Sequence, residues 1–286
     1  MHPTTRPTAA PEAEIDALVG LLRGRPFTVL AGAGLSTESG IPDYRSPRST
    51  PRTHRPIQHD EFVRDAAARQ RYWARSAVGY ARVARARPNA GHRALAEMEA
   101  RGAVAGVITQ NVDGLHHAAG SHRVVELHGA LRRVRCLGCG ALTSRDALQT
   151  RIAALNPRHL AAASPEAPTR PDGDVALAGV AVGAFRVPGC EACGGVLMPD
   201  VVFFGGSVPK PTVQAAWDLY GAGAALLVVG SSLSVFSGYR FVLRAEKEAK
   251  PAALVTLGPT RADAQVRLKV EAPLGLTLTA LAQRLR

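Results

Sequence analysis

Five short apolar runs in this chain each stop at a loop of glycine or small polar residues. Phe27-Thr28-Val29-Leu30 precedes Gly32-Ala33-Gly34, Val104 to Thr109 precedes Gln110-Asn111-Val112-Asp113, and Val124 to Leu127 precedes His128-Gly129. Ala224 to Val229 runs into Gly230-Ser231-Ser232, and Ala252 to Leu257 into Gly258. Runs this short and this continuously apolar read as strands buried on both faces. Helical spacing over Ile15 to Leu22, over about 59–101 with a break around Pro88, and over Leu276 to Leu285 supplies the covering layers. The fold class expected is α/β: a Rossmann-like parallel sheet with helices on both faces. In such sheets a ligand lies beyond the carboxyl ends of the strands, so the loops at 31–45, 110–113, 230–232 and 256–258 should converge on one crevice. Residues 130–200 differ in character, holding all four cysteines and a Pro/Gly-rich stretch, and read as a small inserted zinc-binding module. The organisation expected is a flexible tail at 1–13, a main domain from 14–129 and 201–286 with a helical and loop insertion at 43–101, and the module at 130–200.

Composition narrows the function classes. The formal charge is +12, but only four of the 35 basic residues are lysine, and the Arg, Ala and Gly bias reads as a coding bias rather than a functional signal. Positive charge suits an anionic cofactor, whereas the scatter of the basic residues gives no nucleic-acid footprint. No apolar run is long enough to span a bilayer. The start is Pro- and Thr-rich, lacks a secretory apolar stretch and carries Glu12, Glu14 and Asp16, so a cytoplasmic protein is expected.

The motifs carry the chemistry. Glycines at 32 and 34 after a strand let the backbone approach a pyrophosphate. The dinucleotide fingerprint G-x-G-x-x-G is incomplete, with Thr37 at its third glycine, and no acidic ribose ligand follows at the usual distance, which argues against hydride transfer. A tight strand–helix turn without a ligand is the alternative. Cys136-x-x-Cys139 and Cys190-x-x-Cys193 can present four sulfurs to one tetrahedral zinc with no open position, hence a structural ion. A redox dithiol is the competing reading. His128, at a strand end beside the polar loop 109–113, can serve an acid–base site or be a satisfied structural histidine, and composition does not rank it against His116 and His117.

Together these residues resemble the sirtuin family. Gly32-Ala33-Gly34-Leu35-Ser36 with Ser39-Gly40-Ile41-Pro42-Asp43-Tyr44-Arg45 is similar to its cofactor loop, Thr109 to His116 to its second motif, and Glu126-Leu127-His128-Gly129 to its histidine motif. The cysteine pairs, Pro199 to Gly205 and Val229 to Leu233 follow in the family's order, over about residues 14–286. Pro171-Asp172-Gly173-Asp174-Val175 and Ser237-Gly238-Tyr239-Arg240-Phe241 look most like class II members, here of a bacterial kind. The resemblance implies an NAD-dependent protein lysine deacylase: the acyl-lysine oxygen attacks the ribose carbon bearing nicotinamide, nicotinamide leaves, and an alkylamidate yields O-acyl-ADP-ribose and free lysine. It implies that His128 is the base, with Asn111 and Asp113 at the nicotinamide and ribose. Gly32, Ala33, Gly34, Thr37, Asp43, Tyr44, Arg45 and Gln110 would belong to the NAD site, along with Gly230, Ser231, Ser232, Thr256, Leu257, Gly258 and Leu274. Val202, Phe203, Phe204 and Gly205 would pair with the substrate peptide as an added strand. Gly206 departs from the acidic residue common there, which removes the basis for a preference for basic flanking residues.

Tyr72 and Arg75 lie three apart on an expected helix and share a face. The pair resembles one that takes acidic acyl tails in class III sirtuins, with Arg75 forking onto a carboxylate. A half-buried aromatic beside a solvated arginine is the alternative. Mono-ADP-ribosylation at the same NAD site and non-catalytic NAD sensing are the competing functions. The partners expected are acylated lysines of proteins.

Overall fold

A computed structural model of the chain describes residues 10–44, 56–161, 175 and 182–285. Arg45, residues 1–9 and Pro171 to Asp174 lie outside the described residues. The helices, in chain order, are α1 (Glu12–Leu22), α2 (His59–Arg64), α3 (Ala66–Arg85), α4 (Ala90–Ala100), α5 (Leu115–Ala118), α6 (Arg145–Leu155), α7 (Pro157–Ala161), α8 (Lys210–Ala222), α9 (Phe236–Lys247) and α10 (Leu274–Arg284). The strands are β1 (Phe27–Ala31), β2 (Val104–Thr109), β3 (Val124–Glu126), β4 (Gly129–Cys136), β5 (Leu142–Ser144), β6 (Leu197–Val201), β7 (Ala225–Val229), β8 (Ala252–Val255) and β9 (Leu268–Val270).

Six strands form one parallel sheet in the order β3-β2-β1-β7-β8-β9. Strand order runs outward from β1 in one direction and from β7 in the other, so the topological switch falls between these two central strands. Alternate residues of each strand serve opposite faces. Phe27, Val29 and Ala31 join a core with Ile15 and Leu18 of α1, Leu95 and Met98 of α4, and Leu278 and Leu281 of α10. Leu30, Ile108 and Val228 join the opposite core with Leu219 of α8 and Phe241 and Val242 of α9. Helices therefore cover both faces, which is why the strands read as unbroken apolar runs.

A three-stranded antiparallel sheet, β5-β4-β6, forms the smaller layer. Its core draws Val134, Cys136, Leu148, Ile152, Leu197 and Met198 together with Phe62 of α2 and Tyr72, Trp73 and Ala77 of α3. Trp73 Nε1 donates to the Leu197 carbonyl at 3.2 Å. The first two helices of the 43–101 segment thus share a core with the cysteine-bearing module, while α4 packs on the main sheet.

Element boundaries differ from the sequence reading where caps and pairing decide them. The helical stretch 59–101 has the break near Pro88 and a second one at Asp65, whose side chain accepts from Ala67 N at 2.8 Å and starts α3. Helix α1 begins at Glu12, inside the segment read as tail, with Glu12 and Glu14 in the first turn where the helix dipole favours them. Strand β9 carries too few apolar residues to be legible, and α6 lies in a stretch that showed no long periodicity.

Candidate active site

The loops leaving β1, β2, β3 and β7 meet at the switch point and are tied to one another by hydrogen bonds. Gly32 N donates to Val229 O at 2.9 Å and Gly34 N to Gly230 O at 2.8 Å. A Cβ on Gly32 would lie 2.7 Å from both the Gly230 carbonyl oxygen and Ser231 Cβ. Backbone, not a flexible side chain, sets that limit. Gly32→Ala is therefore expected to lower stability by about 1–3 kcal/mol, read as a lower urea midpoint. An unchanged midpoint would mean that the two loops are not pressed together.

The polar loop after β2 anchors the rest. Gln110 N donates to Ala31 O at 2.9 Å, and its side-chain oxygen accepts from Ser231 Oγ at 2.6 Å. Asn111 is buried; its Nδ2 donates to Gly32 O at 3.0 Å and to Ser36 Oγ at 3.1 Å. Ser36 Oγ donates in turn to Asp113 Oδ2 at 2.7 Å, and Leu115 N donates to Asp113 Oδ1 at 2.9 Å. Burial pushes the Asp113 carboxyl up, against the pull of those two hydrogen bonds. Ser36 is the residue the motif reading passed over: it sits inside the quoted glycine loop and connects Asn111 to Asp113.

His128 lies at the corner between β3 and β4. Its Nδ1 is 3.0 Å from the Gln110 carbonyl oxygen and its Nε2 is 2.7 Å from Ser237 Oγ. A carbonyl only accepts, so Nδ1 carries the proton and Nε2 offers the lone pair. Burial lowers the imidazole pKa below its ordinary value of 6.5, and the nearby Arg240 charge acts in the same direction. The ring is thus a neutral base at pH 7. The corner depends on Gly129, whose φ is +82° and where a Cβ would run into the Asp200 carbonyl. Val202 N donates to His128 O at 2.9 Å, so the histidine is joined directly to the 202–205 segment. The other two histidines now separate from it. His116 is buried against His92, with ring centroids 5.0 Å apart and neither of its nitrogens partnered among the described residues, and His117 is exposed near Glu126.

The remaining predicted residues fall into two groups. Ala33, Gly230, Ser231 and Ser232 line the same strand ends, Leu274 packs close to Gly230, and Thr256 N donates to Val270 O at 3.0 Å at the end of β8. Asp43 and Tyr44 end the described part of the first loop, with Tyr44 exposed. Thr37 is exposed, its hydroxyl donating to Gly34 O at 2.9 Å, and Leu257 and Gly258 extend outward past β8, Leu257 being exposed. Away from the glycine loops, Phe203 packs against Phe62 in a tilted arrangement and against Tyr72 edge to face, at centroid distances of 5.1 Å each. Phe204 O accepts from His59 N at 2.9 Å, with Phe204 and Gly205 exposed. Tyr72 is buried in this aromatic cluster and Arg75 is half-buried one turn along α3.

The Sir2 family profile matches residues 32–237, from the first glycine loop to the serine beside His128. The chain belongs to the Sir2 family. It is 50% identical over 265 residues to NAD-dependent protein deacetylase 1 of Streptomyces coelicolor, covering 92% of this chain and 87% of that one. It is 48% identical over 259 residues to the mitochondrial NAD-dependent protein lipoamidase sirtuin-4 of Bos taurus, covering 90% and 81%. A solved Sir2 structure with a p53 peptide and NAD+ is 27% identical and superposes with a TM-score of 0.69, over 94% of this chain and 96% of that one.

A Sir2-type zinc fits the cysteine set. The four Sγ atoms lie within 4.8 Å of one another, with Cys136 to Cys193 at 3.5 Å and Cys139 to Cys190 at 3.8 Å. Tetrahedral thiolates around zinc stand about 3.8 Å apart. The knuckles are closed by Gly140 N to Cys136 O at 3.0 Å and Gly194 N to Cys190 O at 2.8 Å. With all four positions filled by protein, the ion is structural and stands apart from the His128 chemistry.

Proposed function

We propose that this Sir2-family chain is an NAD-dependent protein lysine deacylase whose base is His128. The observation that carries the reading is the tautomer fixed at that ring: Nδ1–H is committed to Gln110 O, leaving Nε2 as the acceptor in a neutral imidazole. NAD, when bound, supplies an electrophilic ribose carbon and nicotinamide as a leaving group. The residues proposed to hold it are Gly32, Ala33, Gly34, Thr37, Asp43, Tyr44, Arg45 and Gln110 on one side, and Gly230, Ser231, Ser232, Thr256, Leu257, Gly258 and Leu274 on the other. Asn111 keeps its side-chain oxygen after spending its amide group on Gly32 O and Ser36 Oγ, and Asp113 keeps acceptor capacity beside it, so both are assigned to the nicotinamide and ribose. Val202 to Gly205 would hold the acyl-lysine peptide by backbone pairing. Removal of the acyl group is favoured over ADP-ribosylation because the relatives' named activities are deacetylation and lipoamide removal. The cytoplasm is the proposed location; among the described residues no helix is long and apolar enough to cross a membrane.

The acyl class rests on Tyr72 and Arg75. The proposal for acidic chains requires Arg75 to reach the acyl tail past the Tyr72–Phe203 contact. Incubating the protein with NAD and acetyl-, lipoyl- and glutaryl-lysine peptides, and following nicotinamide and O-acyl-ADP-ribose by mass spectrometry, tests both levels. Nicotinamide release coupled to acyl loss supports the deacylase. Protein mass gained in steps of ADP-ribose without acyl loss overturns it. An Arg75→Met variant with an unchanged glutaryl-to-acetyl ratio removes the acidic-chain proposal.

A further inference from the structure

The lone pair that makes His128 a base is already taken. Nε2 has one acceptor site, and Ser237 Oγ sits 2.7 Å from it. Because Nδ1–H is spent on Gln110 O, the serine hydroxyl must be the donor to Nε2. A hydroxyl has two acceptor positions besides its proton, so Ser237 Oγ can still accept a hydrogen bond while it donates one. A ligand hydroxyl cannot occupy Nε2 directly without expelling the serine.

Ser237 is held in place. It lies in the first turn of α9, where Gly238 N and Tyr239 N both donate to Val235 O at 3.2 Å, and Arg240 Nε donates to the Ser237 carbonyl at 3.2 Å. Val235, just before α9, and Phe236, its first residue, are 42% and 59% exposed. His128 and Ser237 are both half-buried, so the contact between them stays within reach of solvent.

We infer that Ser237 is a catalytic relay between His128 and the ligand hydroxyl. The inference rests on the deacylase reading above. In the step, Ser237 Oγ takes the proton of the ligand hydroxyl and passes its own to His128 Nε2. The imidazole becomes imidazolium, the serine is regenerated, and the electron pair left on the ligand oxygen forms the new bond to the acyl carbon of the alkylamidate as the carbon–nitrogen π bond breaks and its pair moves onto the lysine nitrogen. The imidazolium then donates back to Ser237 Oγ. That charge-assisted bond is stronger than the neutral one, so the serine supports the charged ring against its burial and against Arg240, the charge that bears on it.

Two measurements test this on the full chain. In ligand-free protein the His128 ring is titrated by NMR. Ser237→Ala is expected to shift its pKa downward, since the imidazolium loses its acceptor, and Ser237→Thr, which keeps the hydroxyl, is expected to restore it. In turnover with NAD and an acyl-lysine peptide, Ser237→Ala is expected to lose on the order of 10- to 100-fold in kcat, within the range of general-base effects, with Ser237→Thr recovering most of it. A Ser237→Ala enzyme as fast as or faster than wild type overturns the relay and makes the serine a cap that moves aside. An unshifted His128 titration overturns the contact itself. A wild-type chain that releases no nicotinamide overturns the deacylase reading and the relay with it, whereas a working wild type with an unimpaired Ser237→Ala overturns the relay alone.

Discussion

Replacing His128 with alanine removes acyl-lysine turnover by on the order of 10²–10⁴-fold, the usual contribution of a positioned base. The loss should fall on kcat, because the imidazole acts through its Nε2 lone pair and makes its other hydrogen bond to protein, not to ligand. The pH profile gives the sharper check. A histidine whose pKa is lowered by burial, with Arg240 adding to the effect, stays neutral and competent down to a pH below its ordinary 6.5. Activity is therefore present through neutrality and is lost only as pH falls through that depressed value. In kcat/KM, which reports the free enzyme, the acid limb should lie below pH 6.5 and vanish in the alanine variant's residual rate. An acid limb at or above 6.5 would assign the base to another group. The substitution also strands the Gln110 carbonyl, at a cost of about 1–3 kcal/mol, so the variant's melting curve must be shown to remain cooperative before the rate is interpreted.

Much of this site was visible as sequence, because each strand announces its own end. Gly32, Asn111, Asp113, His128 and Ser231 all fall where an apolar run stops, and a parallel sheet carries such ends to one edge. What the sequence did not show is how those ends are bound together. Ser36 bridges Asn111 and Asp113, and Ser237 meets His128 from 109 positions away. Neither hydroxyl has a spacing that marks it, since a serine in a loop is ordinary and its partner is chosen by tertiary packing. The choice among three histidines was illegible for the same reason: burial without partners at His116, exposure at His117 and two directed hydrogen bonds at His128 are properties of the fold. The small core was illegible too. Its residues come from 62–77, 134–152, 185 and 197–198, segments whose apolar spacing is short or irregular, and only their shared packing on Cys136 and Trp73 shows that the two insertions form one unit.

That shared packing sets the consequence of losing the metal. Stripping zinc with a strong chelator, or changing Cys136 to alanine, is expected to unfold the module rather than merely loosen a loop. Structural zinc sites contribute apparent free energies of about 10–16 kcal/mol, as large as the whole stability of a typical domain, about 5–15 kcal/mol. Cys136 ends β4 and is itself part of the small core, with Leu197 and Met198 of β6 beside it and Trp73 of α3 across it. The damage should therefore travel in two directions. Through Phe62, Tyr72 and Phe203 it reaches the segment proposed to bind peptide, and through β4 it reaches Gly129 and the His128 corner. Deacylation should be lost although no cysteine touches the base. Metal analysis should find one zinc per chain before treatment. Limited proteolysis after chelation should open cleavage sites within 130–200 and 56–85 together, while the six-stranded sheet, whose two cores contain no cysteine, stays protected. A chain that holds no zinc, or that keeps its melting curve and cleavage pattern after losing it, would return the two C-x-x-C pairs to redox chemistry and leave the small core to stand on its apolar residues alone.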